Sequence, residues 1–333
     1  MLYGRKFKIK GAKMTKTQTK SFELSYYICP IGWNGKEVTF DPVQAENEFK
    51  NLHAAGIKWA GMNGVNLAEK INFDLGAAIE LIKGWMKKYD IRFSSFHFSG
   101  ATSAGVGKSQ DMVRENILKS VEIFSRLQPK AFVVHAGWFH ANDCGNIVKA
   151  WYQEKQKYGE EKIIGIIAEN LKIMAQALGK YNIYLAIENM GKFLPLGQKE
   201  NIALLIDLID EPNVGYCLDT GHAHCVGESV VEWIKHCGDK LFETHFHDNR
   251  ALAKNCKENF IATEGVDEHL SPGFGTIPWI DVIEALKLID FKGPVTFETG
   301  GWPDANPVRG YRNAIAWWRT SECLASSLPK RKL

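Results

Sequence analysis

Short apolar or β-branched runs alternate with polar turns and amphipathic stretches along most of the 333 residues. Such runs stand at 22–29 (FELSYYIC), 57–62 (IKWAGM), 91–97 (IRFSSFH) and 130–135 (KAFVVH), then at 182–188 (NIYLAIE), 214–219 (VGYCLD), 241–247 (LFETHFH) and 294–298 (PVTFE). Each is short, rich in residues that suit a pleated surface and flanked by polar loops, which predicts eight strands. Between them apolar positions recur every three to four residues, the signature of helices packed on one face. The predicted helices are ENEFKNLHAAG, AAIELIKGWMKKYD, ENILKSVEIFSRL, IAENLKIMAQALGKY, NIALLIDLID, VVEWIKHC and IDVIEALKLI, with YRNAIAWWRTSECLA after the eighth strand. Gly56 is expected to close the first of them, since glycine tolerates the left-handed conformation that ends a helix. Eight strand–helix units with no linker-like or low-complexity break predict an α/β protein with a single (β/α)8 TIM barrel, the catalytic domain running from 21 to 328. A doubly wound sheet is the alternative, but it leaves the polar strand ends unexplained.

Composition narrows the class without naming a chemistry. With 45% hydrophobic and 24% charged residues the chain reads as a soluble globular protein. No window approaches the roughly 18–20 apolar residues of a membrane span. Residues 1–20 hold seven Lys/Arg and no acid, and read as a disordered basic extension without the apolar stretch of a secretion signal. The remainder carries 34 basic against 38 acidic residues, which argues against a nucleic-acid partner. Seven cysteines, odd in number and irregularly spaced, read as reduced thiols of a cytoplasmic protein.

The chemistry gathers at the strand ends. Of ten histidines, six fall at or just past the end of a predicted strand: His97, His135, His222, His224, His245 and His247. Glu188, Asp219 and Glu298 also terminate apolar runs. Strands of a barrel point the same way, so their C-terminal ends share one face. A lone histidine there is as often a structural residue as a ligand. Several carboxylates and imidazoles in one low-dielectric pocket are costly unless a cation pairs them, and mixed His and carboxylate donors suit a divalent metal.

The stretches VVHAGW (133–138), AIENM (186–190), CLDTGHAH (217–224), THFHDN (244–249), DEHLSPGFGTI (267–277) and TFETG (296–300) resemble, in that order, the xylose-isomerase-like TIM-barrel superfamily. That group holds sugar and sugar-phosphate isomerases and epimerases and, more distantly, the endonuclease IV repair enzymes. The resemblance spans the fourth to eighth strands, and His97 extends it to the third. It implies one divalent ion (Mn, Zn, Mg or Co) on Glu188, Asp219, His245 and Glu298, with Glu188 and Glu298 as the catalytic acid–base pair. It assigns His97, His135, His222, Asp267 and His269 to substrate binding or to further metals, as in the nucleases. His140, His224 and His247 match no family role, and His247 is expected to face away from His245 in a supporting or packing position.

Three functions share these residues. The leading expectation is a metal-dependent isomerase or epimerase that moves a proton through an enediolate stabilised by the ion. A lyase or dehydratase acting on a keto-sugar or keto-glycoside is the second. The third is phosphodiester hydrolysis at abasic DNA, opposed by the acidic body and by first and second loops with few lysines and no arginine. Trp138, Phe139, Phe246, Phe274, Trp279 and Trp302 flank the ligands and could stack on a sugar face or pack the barrel rim. An insert over 249–265 is placed to act as a lid, and Arg250 within it and Trp138 are candidate substrate contacts. The expected partner is a small carbohydrate, with neither nucleic acid nor membrane and with a homo-oligomer left open.

Overall fold

The computed structural model describes residues 21–137, 147–190, 195–250, 267–299 and 306–327. All eight expected strands form: β1 (Leu24–Ile28), β2 (Trp59–Met62), β3 (Arg92–Phe98), β4 (Ala131–Val134), β5 (Tyr184–Glu188), β6 (Val214–Asp219), β7 (Leu241–His245) and β8 (Val295–Phe297). They pair in parallel in chain order, and β8 returns to β1 with Leu24 opposite Val295. The ring closes between β7 and β8 through the bridge Phe246↔Phe297. There Phe246 N donates to Thr296 O (2.8 Å) and Glu298 N to Phe246 O (3.2 Å). This is a single (β/α)8 barrel.

Helices α1 (Pro42–Ala55), α2 (Leu75–Tyr89), α3 (Asp111–Phe124), α4 (Ile147–Tyr158) and α5 (Glu160–Gly179) cover the first half. In the second half come α6 (Lys199–Ile209), α7 (Thr220–Cys225), α8 (Val230–Cys237), α9 (Trp279–Leu288) and α10 (Pro307–Ser327). Local chemistry sets their ends. Asp41 caps α1 by accepting from Val43 N and Gln44 N, and Gly56 stops it at φ 83° as expected. A small hairpin (Gly32–Trp33 with Val38–Thr39) and the one-turn-and-a-half α7 are additions that the periodicity did not reveal.

Two packing zones differ in residue size. Large side chains such as Phe49, Phe93, Phe96, Phe124 and Phe132 fill the layer between strands and helices. The barrel interior takes small residues, Ala131, Val133, Ala186 and Cys217, because inward chains from opposite strands compete for one narrow space. It is also partly polar: Ser25 and Ser94 hydroxyls meet at 2.9 Å, and Thr296 Oγ1 donates to Glu243 Oε1 at 2.7 Å. Burial pushes the Glu243 carboxyl up towards its neutral form. Outside the β7–β8 seam, Phe246, Trp279, Phe297 and Trp318 pack ring on ring. Phe246 and Trp279 are therefore core residues, with exposures of 0% and 4%, and offer no face to a ligand. Among the described residues no helix is long and apolar enough to cross a membrane.

Candidate metal centre

Six of the eight strands, β3 to β8, deliver a polar residue at or near their C-terminal ends. Glu188, Asp219 and His245 are the last residues of β5, β6 and β7; His97 is the penultimate residue of β3; His135 and Glu298 directly follow β4 and β8. Parallel pairing in chain order carries them all to one rim. Glu188 is buried, 1% exposed, with Oε2 3.0 Å from His135 Nε2 and 3.2 Å from His97 Nε2. Its Oε1 is 3.2 Å from His245 Nδ1, and that same nitrogen is 2.8 Å from Glu298 Oε2. Asp219 is held by its neighbour strand: Asn189 Nδ2 donates to Asp219 O (2.9 Å), and Asp219 N donates to Asn189 Oδ1 (2.7 Å).

Asp219 also begins α7, with Oδ1 accepting from His222 N at 2.6 Å. That turn swings His222 back towards the rim, where its Nε2 stands 3.2 Å from Asp267 Oδ2. His269 Nε2 is 3.2 Å from the same oxygen. His224 points elsewhere and bonds Thr276 Oγ1. Arg250 lies outside the cluster, 70% exposed, and pairs with Glu268. Trp138, Phe139, His140, Trp302, residues 1–20 and most of the 249–265 insert lie outside the described residues.

His247 corrects the sequence reading. Residues two apart on an extended strand share a face, so His247 follows His245 to the rim while Phe246 between them turns to the outer core. His247 is fully buried, with Nε2 3.0 Å from Asp219 Oδ2 and 3.6 Å from Asp267 Oδ1. The chain makes room for it: a Cβ on Gly221 would come within 1.8 Å of the His247 ring. The His-X-His alternation was the available signal. Asn189, too, escaped notice, because nothing in one sequence separates a brace from any other Asn after a strand.

Charge in the cluster is strongly interdependent. Burial opposes ionisation of Glu188, but His245 and His135 outweigh it and hold the carboxyl well below the usual range. Burial likewise opposes Glu298, whose carboxyl His245 brings down to about 2. His245 is buried, which disfavours its cation, yet Cys217, Tyr27, Glu188 and Glu298 raise it well above an ordinary imidazole. Neither ring nitrogen of His245 makes a well-directed hydrogen bond, although Nδ1 has two carboxylates within 3.2 Å. Oxygen and nitrogen atoms that converge on one point without hydrogen-bond geometry suit a shared cation. Donor atoms of Glu188, Asp219, His245 and Glu298 lie within 4.8 Å of one another. So do those of His97, His135 and Glu188, and those of His222, His247, Asp267 and His269. One histidine and three carboxylates match the hard donor set of Mn²⁺ or Mg²⁺ and also accept Zn²⁺.

The chain is 29% identical over 195 residues to an uncharacterized protein of Methanocaldococcus jannaschii, covering 57% of this chain and 58% of that one. It thus spans little more than half of that relative's length. An inosose dehydratase of Clostridium botulinum is 23% identical, over 84% of this chain and 91% of the relative. Among solved structures, a D-psicose 3-epimerase from Clostridium cellulolyticum superposes with a TM-score of 0.67 at 13% identity, over 89% of this chain and 99% of that one. The model of the xylose isomerase-like TIM barrel matches residues 49–321, and with the closed eight-stranded ring this chain belongs to that family.

Proposed function

We propose that the protein is a divalent-metal-dependent epimerase or isomerase of keto-sugars, with residues 21–328 as one catalytic domain acting in the cytoplasm. Glu188, Asp219, His245 and Glu298 hold the ion, and Glu188 and Glu298 move the proton. The observation that carries this reading is the pair of glutamates meeting at one imidazole nitrogen, 3.2 Å and 2.8 Å from His245 Nδ1. Two carboxylates that meet at one point suit a reaction that takes a proton from one face of a carbon and returns it to the other. A bound divalent ion supplies charge that polarises the substrate carbonyl and acidifies the neighbouring C–H. Glu298, with a side chain 24% exposed, reaches towards the mouth, whereas the buried Glu188 contacts His97 and His135 through Oε2. Both carboxylates are held ionised, which readies either to accept a proton. His97 and His135 would meet substrate hydroxyls, and the aromatic face of Trp138 would stack on the sugar; Arg250 is less well placed.

The resemblance to a D-psicose 3-epimerase and an inosose dehydratase supports a polyhydroxylated keto substrate. The test is solvent-deuterium incorporation into a panel of ketoses and keto-cyclitols, with metal counted in parallel. Exchange at the carbon next to the carbonyl is expected, with epimer or isomer as product. Loss of water from the substrate would favour the dehydratase reading instead. A second reading, phosphodiester hydrolysis at abasic DNA, is favoured by the three adjoining donor groups. Nicking of abasic DNA with no sugar exchange would replace the first reading by the second.

A further inference from the structure

We propose that Glu243, Thr244 and Thr296 are positioning residues: their side chains fasten β7 to β8 where backbone pairing is sparse, and so set the spacing of His245 and Glu298. This deepens the metal-site reading and rests on it.

The seam between these two strands differs from the rest of the ring. Other neighbouring strands are joined by three or four paired residues each. Among the described residues, β7 and β8 share the single bridge Phe246↔Phe297. The two proposed ligands flank that bridge: His245 precedes Phe246, Glu298 follows Phe297, and their side chains meet at 2.8 Å. Ligand groups work only when held close to the productive geometry, and one bridge leaves two strands free to splay below it.

Side chains supply the bonds that the backbone omits. Below the bridge, a regular parallel ladder would run from Thr296 N to the Thr244 carbonyl and from Thr244 N to the Pro294 carbonyl. Both N–H groups go to side chains instead. Thr296 N donates to Thr244 Oγ1 at 3.0 Å, and Thr244 N donates to Glu243 Oε1 at 2.8 Å. The same Glu243 oxygen accepts from Thr296 Oγ1 at 2.7 Å, so one carboxyl oxygen grips both strands. Glu243 is 1% exposed and both threonines 0%, which puts these bonds out of reach of solvent and makes an unmet partner costly. Thr296 Oγ1 also lies 3.1 Å from Ser94 Oγ, which meets Ser25 Oγ at 2.9 Å, so the fastening is anchored across the barrel on β3 and β1. What position 243 must provide is an acceptor for two donors, and an amide oxygen meets that need as well as a carboxyl oxygen does.

The experiment compares full-length Glu243→Gln, Glu243→Met and Thr296→Val with Ile79→Val, a loss of buried packing in α2, away from the seam. Amide hydrogen exchange is followed by mass spectrometry over the peptides containing Phe246 and Glu298. Mn²⁺ affinity is measured by titration of the metal-stripped proteins, and melting temperatures are recorded. Glu243→Met and Thr296→Val roughly keep side-chain volume but remove the acceptor or a donor. Both should exchange the seam amides about tenfold faster, the worth of about one hydrogen bond. Both should also bind Mn²⁺ about 10- to 100-fold more weakly. Glu243→Gln should stay close to wild type in both readouts, and Ile79→Val should melt earlier without moving either. Thr296→Val covers the case in which Glu243→Met does not fold. Seam exchange and Mn²⁺ affinity in Thr296→Val that match Ile79→Val, or a loss in Glu243→Gln as large as in Glu243→Met, would overturn the proposal. Wild type that takes up no Mn²⁺ is a separate result, which would sink the metal reading and this inference with it.

Discussion

Replacing Glu298 by Gln tests whether the two glutamates carry protons or merely hold an ion. The substitution keeps the shape and removes one charge from a nitrogen–oxygen contact of 2.8 Å at His245. Three donors of the group remain, Glu188, Asp219 and His245, so saturating metal should refill the site and preserve binding of a substrate analogue. What does not return is a carboxylate able to accept a proton, since an amide is not basic. The expected loss in turnover is about 10²–10⁴-fold, or about 3–5 kcal/mol in the barrier. Glu188→Gln should behave differently, because its carboxylate belongs to three donor groups and lies among His97, His135 and His245. It should lose metal as well as rate and recover only part of either with excess metal. The assay follows deuterium uptake from solvent into the substrate for wild type and both variants, with metal content measured on the same samples. A variant that exchanges only one epimer would identify the half-reaction its missing glutamate served. A metal-replete Glu298→Gln enzyme that turns over at the wild-type rate would refute the assignment of that residue as acid or base.

Asp248 accepts from Asn249 N, Ile277 N, Gly273 N and Trp279 Nε1, so Asp248→Ala strands four donors, three of them in buried bonds. It should destabilise the fold by about 3 kcal/mol or more, read as a shift in urea midpoint. Trp318→Ala, in the aromatic packing outside β7 and β8, should cost about 3–5 kcal/mol by the same measurement. Burial raises the Glu48 carboxyl from 4.5 to about 7, so the folded state holds a proton that the unfolded chain releases. Its contribution is therefore fully favourable below pH 4.5 and declines by about 3 kcal/mol as pH rises to 7; Glu48→Gln should flatten that part of the stability–pH curve. An equal slope in both proteins would contradict the assignment.

Much of the barrel was legible because period-two and period-3.6 patterns translate directly into elements, and because parallel topology sends every strand end to one rim. That logic sends Glu188, Asp219, His245 and Glu298 to one face, although they lie 110 residues apart at the extremes, but it was the family resemblance that singled these four out as one set. Side-chain direction beyond a strand's last pairing was harder. His247 lies past the end of β7, and its place depends on the empty space over Gly221, which no linear pattern encodes. Of the two roles left open for the aromatic residues near the ligands, Phe246 takes packing for a related reason: it alternates outward between two inward histidines, so nearness in sequence meant the opposite face. The brace from Asn189 to Asp219 joins two strands through side chain and backbone, and only their register makes it visible.

The way the ring is sealed bears on how the chain is made. β8 is the last of the eight barrel strands to leave the ribosome, and α10, which follows it, is tied back to Phe22, just ahead of β1, by Phe22 N donating to Glu322 Oε1 and by Arg319 donating to Phe22 O. Until those residues emerge, the nascent sheet has two bare margins, β1 and β7, and Glu298 has not joined His245. Unpaired margins of that kind recruit strands from other chains. Translation arrest or truncation between α9 and β8 would thus release an inactive species with both margins unpaired, one for which holdase chaperones compete with aggregation until synthesis is complete.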